Sequence, residues 1–92
     1  MPDDSGSLEE DRTLGKYPIS VASMLTGVPE HKLRAFETAE LIGPSRTGGG
    51  TRLYSDEELE RIRQIAELTD KGINYAGIRE ILEMAEGQQE SG

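Results

Sequence analysis

Pro18-Ile19-Ser20-Val21-Ala22-Ser23-Met24-Leu25-Thr26-Gly27-Val28-Pro29-Glu30-His31-Lys32-Leu33-Arg34-Ala35-Phe36 is the stretch that decides the fold. Val21, Ala22, Met24 and Leu25 predict a short helix. Ser20 is expected as its N-cap, because a serine hydroxyl can accept one of the orphan amide hydrogen bonds of a first turn. Gly27 ends that helix, and Pro29 suits the first turn of a second one, where its missing N–H is no loss. Leu33 and Phe36, followed by Ala39, give the second helix an inward stripe at a spacing of three. Two short helices joined across a glycine-containing turn make a helix-turn-helix pattern.

Downstream, Leu41-Ile42 is a brief apolar run stopped by Gly43-Pro44. Thr47-Gly48-Gly49-Gly50-Thr51 lies between two short extended pieces and predicts a β-hairpin. Ser55 and Glu58 stand at capping-box spacing, and the acids beside them suit the positive end of a helix dipole. Leu59, Ile62, Ile65, Ala66 and Thr69 then follow a helical period, which Gly72 can end in the left-handed conformation. Asn74 is expected to cap a last helix with Ile78, Ile81, Leu82 and Ala85 on its buried face and its end near Gly87. The expected fold is mainly α: a helix-turn-helix of four helices with a short β-hairpin wing.

Residues 1–15 are rich in Asp, Glu, Ser and Gly and are read as a disordered acidic tail, as are residues 87–92. That leaves residues 16–86 as one folded domain, too small to add a roomy effector pocket. The formal net charge is −8, but it is unevenly spread. Residues 14–55 hold five bases against three acids, while residues 56–86 hold nine acids against four bases. A phosphate-facing surface can be small, so the total charge does not exclude nucleic acid; it predicts weak non-specific binding.

Several functions are excluded or unsupported. Without cysteine there is neither a disulfide framework nor a thiolate metal site, which fits a reducing cytoplasm. No apolar run approaches a membrane span and no secretory signal pattern opens the chain, so no membrane partner is expected. His31 has no second His or Cys to share a metal with. The triple glycine lacks the Gly-Lys-Ser/Thr ending of a nucleotide-binding loop. The acids of Asp56–Glu60 read as a helix start rather than a cation site. No nucleophile–base pair stands out, so neither enzyme activity nor a cofactor is expected.

Several motifs occur in order: Pro18-Ile19-Ser20-Val21-Ala22 through Thr26-Gly27-Val28, then Leu33-Arg34-x-Phe36-Glu37, Leu41-Ile42-x-Pro44-x-Arg46-Thr47 and Arg52-Leu53-Tyr54-Ser55. In this order and spacing the chain resembles the DNA-binding module of the MerR family of transcription regulators. Gly72-Ile73-Asn74-Tyr75-Ala76-Gly77-Ile78 is similar to the heat-shock-repressor and glutamine-synthesis-repressor branches. The resemblance implies a winged helix-turn-helix whose second helix enters the major groove of double-stranded DNA while the wing meets the flanking backbone. It implies phosphate contacts for Arg34, Arg46, Arg52 and Tyr54. His31 and Lys32 lie at the end of helix two that usually meets base edges. The expected interface is Ser20, His31, Lys32, Arg34, Phe36, Arg46, Thr47, Arg52 and Tyr54, with Phe36 also read as a core residue and Tyr54 as a ring that caps the core beneath a phosphate-facing hydroxyl.

The chain departs from the family pattern in helix two. Ala35-Phe36 stands where a Tyr pair is usual, Thr38 where a base is common, and Glu40 where Gly is common. Full family members add a long C-terminal helix that pairs two subunits, and often an effector domain. Neither is found in these residues, so the expectation is a short regulator or a piece of a longer one, without ligand sensing, either a monomer that pairs as a homodimer only on DNA or a dimer built through other helices. Expected roles are sequence-specific binding in transcription control, with repression suggested by the branch resemblance. Two alternatives stay open: an acidic module that docks RNA polymerase or another regulator, and a small excisionase-like architectural DNA binder. Arginines 34, 46 and 52 locked in pairs with Glu37 or Glu40 would favour the docking module.

Overall fold

A computed structural model describes residues 12–91, with side chains placed through Ala85. Most of the acidic segment expected to be disordered lies outside the described residues. Arg12 and Thr13 are helical, and Arg12 meets Glu60 at 3.2 Å.

Helix α1 (Ile19–Thr26) begins two residues earlier than the sequence suggests. Pro18, not Ser20, is the N-cap: its ring holds φ at −62°, its ψ of 163° is extended, and its carbonyl accepts the Ala22 amide at 2.8 Å. The start has no side-chain cap hydrogen bond; what Pro18 contributes is a φ already fixed by its ring, and Ser20 is left exposed inside the first turn. Gly27 ends α1 in the left-handed region at φ 75°. The turn is fastened by hydroxyls. Thr26 donates to Ala22 O at 2.7 Å, and Ser23 donates to Val28 O at 2.6 Å. Val28 is thereby buried between the helices.

Helix α2 (Glu30–Thr38) buries Leu33 and Phe36 on one side. It ends in a Schellman motif: the Leu41 amide reaches Phe36 O at 2.9 Å and the Glu40 amide reaches Glu37 O at 2.9 Å. The left-handed position of that motif is Glu40, φ 62°, where an L side chain is strained. Leu41 and Ile42 then drop into the core, and the chain turns out into the wing.

Strands β1 (Ser45–Arg46) and β2 (Arg52–Leu53) pair antiparallel, with Ser45 opposite Leu53 and Arg46 opposite Arg52. Thr47 closes the turn: its backbone amide donates to Thr51 O at 2.9 Å, and its hydroxyl oxygen accepts from the Thr51 amide at 3.2 Å. Tyr17 and Tyr54 exchange backbone hydrogen bonds at 2.8 and 2.9 Å, so the segment before α1 lies beside the wing base. Gly15 is needed there, since a Cβ would come within 2.8 Å of Leu53 O.

Helix α3 (Asp56–Asp70) starts with the expected capping box, both halves formed between Ser55 and Glu58. Leu59, Ile62 and Ile65 face the core. It ends in a second Schellman motif with Gly72 in the left-handed position at φ 87°. Asn74 caps helix α4 (Tyr75–Ser91) as expected, its Oδ1 accepting from the Gly77 amide at 2.9 Å. Two expectations for α4 fail. Ile78 and Leu82 are buried, but Ile81 is 41 % exposed and Ala85 is exposed, so the covered stripe of α4 is narrower than its apolar one. The helix also runs to Ser91, past Gly87; glycine costs about 1 kcal/mol in a helix but does not stop one by itself.

The product is a helix-turn-helix, a two-stranded wing and two supporting helices around one aliphatic core closed by Phe36 and Tyr54. Among the described residues no helix is long and apolar enough to cross a membrane, and no group of three or more potential metal ligands occurs.

Candidate nucleic-acid interface

The outer surface of α2 follows from the position of its core residues. With Leu33 and Phe36 inward, a turn of about 100° per residue puts His31, Arg34, Ala35 and Thr38 outward. His31, Lys32, Arg34 and Thr38 are exposed, and Ala35 is half-buried. Lys32 lies at the edge toward α4, where it shares a shallow hollow with Phe36, Ile73 and Tyr75. Phe36 and Tyr75 meet edge to face there, ring centroids 6.0 Å apart, which sets α2 against α4.

Glu30 and Glu37 lie on the opposite edge, toward the wing. Arg34 meets Glu30 at 3.4 Å one turn away. Glu37 has both oxygens occupied: Oε1 accepts from Arg52 Nε and Oε2 from Arg46 Nη2, each at 2.5 Å. Arg46 also donates through Nη1 to Gly50 O at 3.1 Å. The two arginines thus reach α2 from facing positions on the two wing strands. Burial alone would push the Glu37 carboxyl up, but hydrogen bonds from Arg52 and then Arg46, with their charges, hold it below the ordinary glutamate value of 4.5. Arg46 remains exposed and Arg52 half-buried, and each retains guanidinium N–H groups beyond those bonds.

Of the nine residues expected at the interface, five form this surface: His31, Lys32, Arg34, Arg46 and Arg52. Thr47 is exposed at the wing turn, where its hydroxyl already accepts from the turn amides. Ser20 is exposed in the first turn of α1. Phe36 and Tyr54 do not join them. Phe36 is 1 % exposed and Tyr54 is fully buried, so both rings are core. The expected phosphate-facing hydroxyl of Tyr54 lies inside the protein, without a hydrogen-bond partner among the described residues. Burial first, then the charge of Glu37, push that hydroxyl's pKa up. Strand alternation would keep Tyr54 on the side of Arg52, but β2 ends at Leu53, and Tyr54, paired through its backbone with Tyr17, has already left the wing for the core.

The sequence names Glu37 as one of two acids able to pair with the arginines, and Arg46 and Arg52 are the two that take it. The available signal was its place on α2, one turn beyond Arg34 and on the edge flanking the core stripe, with two arginines at equal reach on a hairpin. Glu58 was read for its capping box alone; its second oxygen also accepts the Gly43 amide at 3.2 Å and anchors the wing entrance.

An open groove of about 980 Å³ lies away from α2 and the wing, between the segment after α2, α3 and α4. Glu40, Glu57, Glu58 and Glu60 line it, against Arg12 and Arg61.

Residues 17–85 match the family described as MerR HTH family regulatory protein. The chain is 35 % identical over 83 residues to the HTH-type transcriptional regulator GlnR of Bacillus anthracis, covering 90 % of this chain and 64 % of the relative. It is 44 % identical over 69 residues to HspR of Streptomyces coelicolor, a protein named for heat shock, covering 74 % of this chain and 46 % of that protein. The chain therefore spans less than two thirds of the length of these curated relatives. Among solved structures it resembles MtaN, the N-terminus of a Bacillus subtilis multidrug transporter activator, with a TM-score of 0.66 and 35 % identity over 73 % of this chain and 64 % of the other. With a helix-turn-helix, a paired wing and two supporting helices among the described residues, and a match that runs through residues 17–85, this chain belongs to the MerR HTH family of regulatory proteins.

Proposed function

We propose that the chain binds double-stranded DNA in a sequence-specific manner, as the reading module of a cytoplasmic transcription regulator that represses its targets. The observation that carries this is the arrangement of α2 and the wing: an exposed helix face with His31 and Arg34, flanked at one edge by Arg46 and Arg52 held on a hairpin. In this reading α2 lies in the major groove and Arg34 meets a base edge or phosphate, while Arg46 and Arg52 contact the adjoining backbone. Family membership supports it, as do relatives named as transcriptional regulators. Repression rests on the likeness to the heat-shock and glutamine-synthesis branches. One such module covers only about 600–1,000 Å² of DNA, so two copies on a repeated site are expected for useful affinity.

A second reading has its own observation. The arginine–Glu37 pairs, expected of a module that docks RNA polymerase or another regulator, do form, and the acidic groove offers a basic partner a surface. The pairs count for this reading, but Arg34 meets Glu30 rather than Glu37 or Glu40, and one carboxylate shared by Arg46 and Arg52 neutralises only one of two guanidinium charges, which keeps the first reading ahead.

Selection from a pool of random duplexes at low salt tests the choice, with Arg34→Ala and Arg52→Ala beside the parent. One enriched motif, lost with Arg34→Ala, is expected. Failure of the parent to bind any duplex at low salt would rule out the DNA reading for this chain and favour the docking module.

A further inference from the structure

Arg46 and Arg52 face each other across the wing ladder. Like charges directly opposite each other on two strands repel. Each strand of this hairpin is only two residues long, and the turn between them contains three consecutive glycines. Such a wing has little of its own to hold two guanidiniums together. Glu37 comes from outside the hairpin and meets both, one with each oxygen. It is also on the edge of the helix whose outer face carries His31 and Arg34. An acid at this place would be a defect if its charge were its only effect, since a neutral residue would repel phosphate less.

We infer that Glu37 is a positioning and specificity-determining residue of the DNA surface: by bridging Arg46 and Arg52 it fixes the wing against α2 and halves the charge the wing arginines offer to phosphate. The inference rests on the DNA-binding reading above. Its consequence is discrimination. Two loose arginines would attract any duplex, whereas two arginines at a fixed distance from α2 reward only a backbone that presents phosphates at that distance while the helix is seated in the groove. Most of their N–H groups stay available, because a guanidinium has five and Glu37 takes one from each.

The test compares the parent with Glu37→Gln and Glu37→Asp by fluorescence anisotropy, on the selected site and on a random duplex, across a salt series. Glu37→Gln keeps the size of the side chain and removes the charge. It is expected to bind the random duplex several-fold more tightly, to steepen the dependence of log affinity on log salt by about one unit, and to lose preference for the selected site. Glu37→Asp keeps the charge with a shorter reach; it is expected to retain the parent's salt slope and still lose site preference. A folded Glu37→Gln with the parent's slope and preference overturns the inference. If Glu37→Gln does not fold, hydrogen exchange of the Arg52 Nε–H in the unaltered chain decides: slowed exchange supports the bridge, and exchange at the rate of a free arginine overturns it. A parent that binds neither duplex brings down the DNA reading and this inference together, whereas a binding parent with an indifferent Glu37→Gln brings down only the inference.

Discussion

Glu37 and Glu58 are the same residue type with the same number of engaged oxygens, yet their surroundings drive them in opposite directions. Glu58 receives two backbone amides, Ser55 at 3.2 Å and Gly43 at 3.2 Å, and burial outweighs them, so its carboxyl is pushed above the ordinary value. Glu37 receives two guanidinium groups, and their hydrogen bonds and charges outweigh its burial, so its carboxyl is held below that value. Neutral amides stabilise a carboxylate less than cations do. The difference separates two tasks. Glu58 starts α3 and fastens the wing entrance, which makes the fold. Glu37 gathers charge at the outer edge of α2, which makes the surface.

The largest expected effects set these two tasks against each other. Arg34→Ala should weaken binding to the selected duplex by about 1–3 kcal/mol with an unchanged melting temperature, if Arg34 makes a base or phosphate contact. Ser55→Ala removes the hydroxyl from the capping box and should lower stability by about 1 kcal/mol without changing the salt slope. Thermal melts and anisotropy on both variants would break the comparison if the effects crossed over.

Glu40→Gly comes next. It removes the side chain from the left-handed position of the α2 Schellman motif, as Gly72 already does for α3. A gain of about 1 kcal/mol is expected in denaturant unfolding. A loss would mean that Glu40's own contact with Arg79, 3.9 Å away, matters more than the backbone strain. Tyr54→Phe removes a buried hydroxyl that has no partner among the described residues and should leave DNA affinity unchanged, with stability equal or slightly raised. Weakened binding would restore Tyr54 to the interface.

The smallest effect is in the pH profile. Glu37 has a depressed folded-state value, so its stabilisation is fully present above the unfolded value near 4.5 and is lost as pH falls through the lower folded value. Asp56, held down first by the Tyr17 hydroxyl and then by Lys16, adds to the same loss in acid. Glu58 has the opposite sign: with its folded value raised, stability increases as pH falls through that value toward 4.5. Melting temperature against pH should therefore fall less steeply below 4.5 in Glu37→Gln, with the Asp56 share remaining, and change less above 4.5 in Glu58→Gln. A shared change in both limbs would undo the distinction between the two glutamates.

The fold was legible wherever a local rule had no competitor. The Ser55–Glu58 box, Gly27, Gly72 and the Asn74 cap each satisfy backbone groups within a few residues, and each stands where the sequence places it. Ser20 failed because Pro18 competed for the same helix start. Ile81 and Ala85 failed because periodicity marks an apolar stripe but not how wide a neighbour will cover it. In the site, the residue types were legible and their depth was not. The spacing of Leu33 and Phe36 puts Phe36 inward and Arg34 outward, but nothing local marks the Tyr54 hydroxyl as buried. Glu37 was legible as a possible partner of the arginines but not as the bridge between two of them, since that role comes from contacts 9 and 15 residues away.

The central claim is that DNA meets the α2 face and the wing. Amide chemical-shift mapping on addition of the selected duplex tests it most directly. Shifts concentrated at residues 31–38 and 46–52, with residues 57–64 of the acidic groove silent, are the expected result. Shifts concentrated in the groove, with α2 and the wing unmoved, would contradict it.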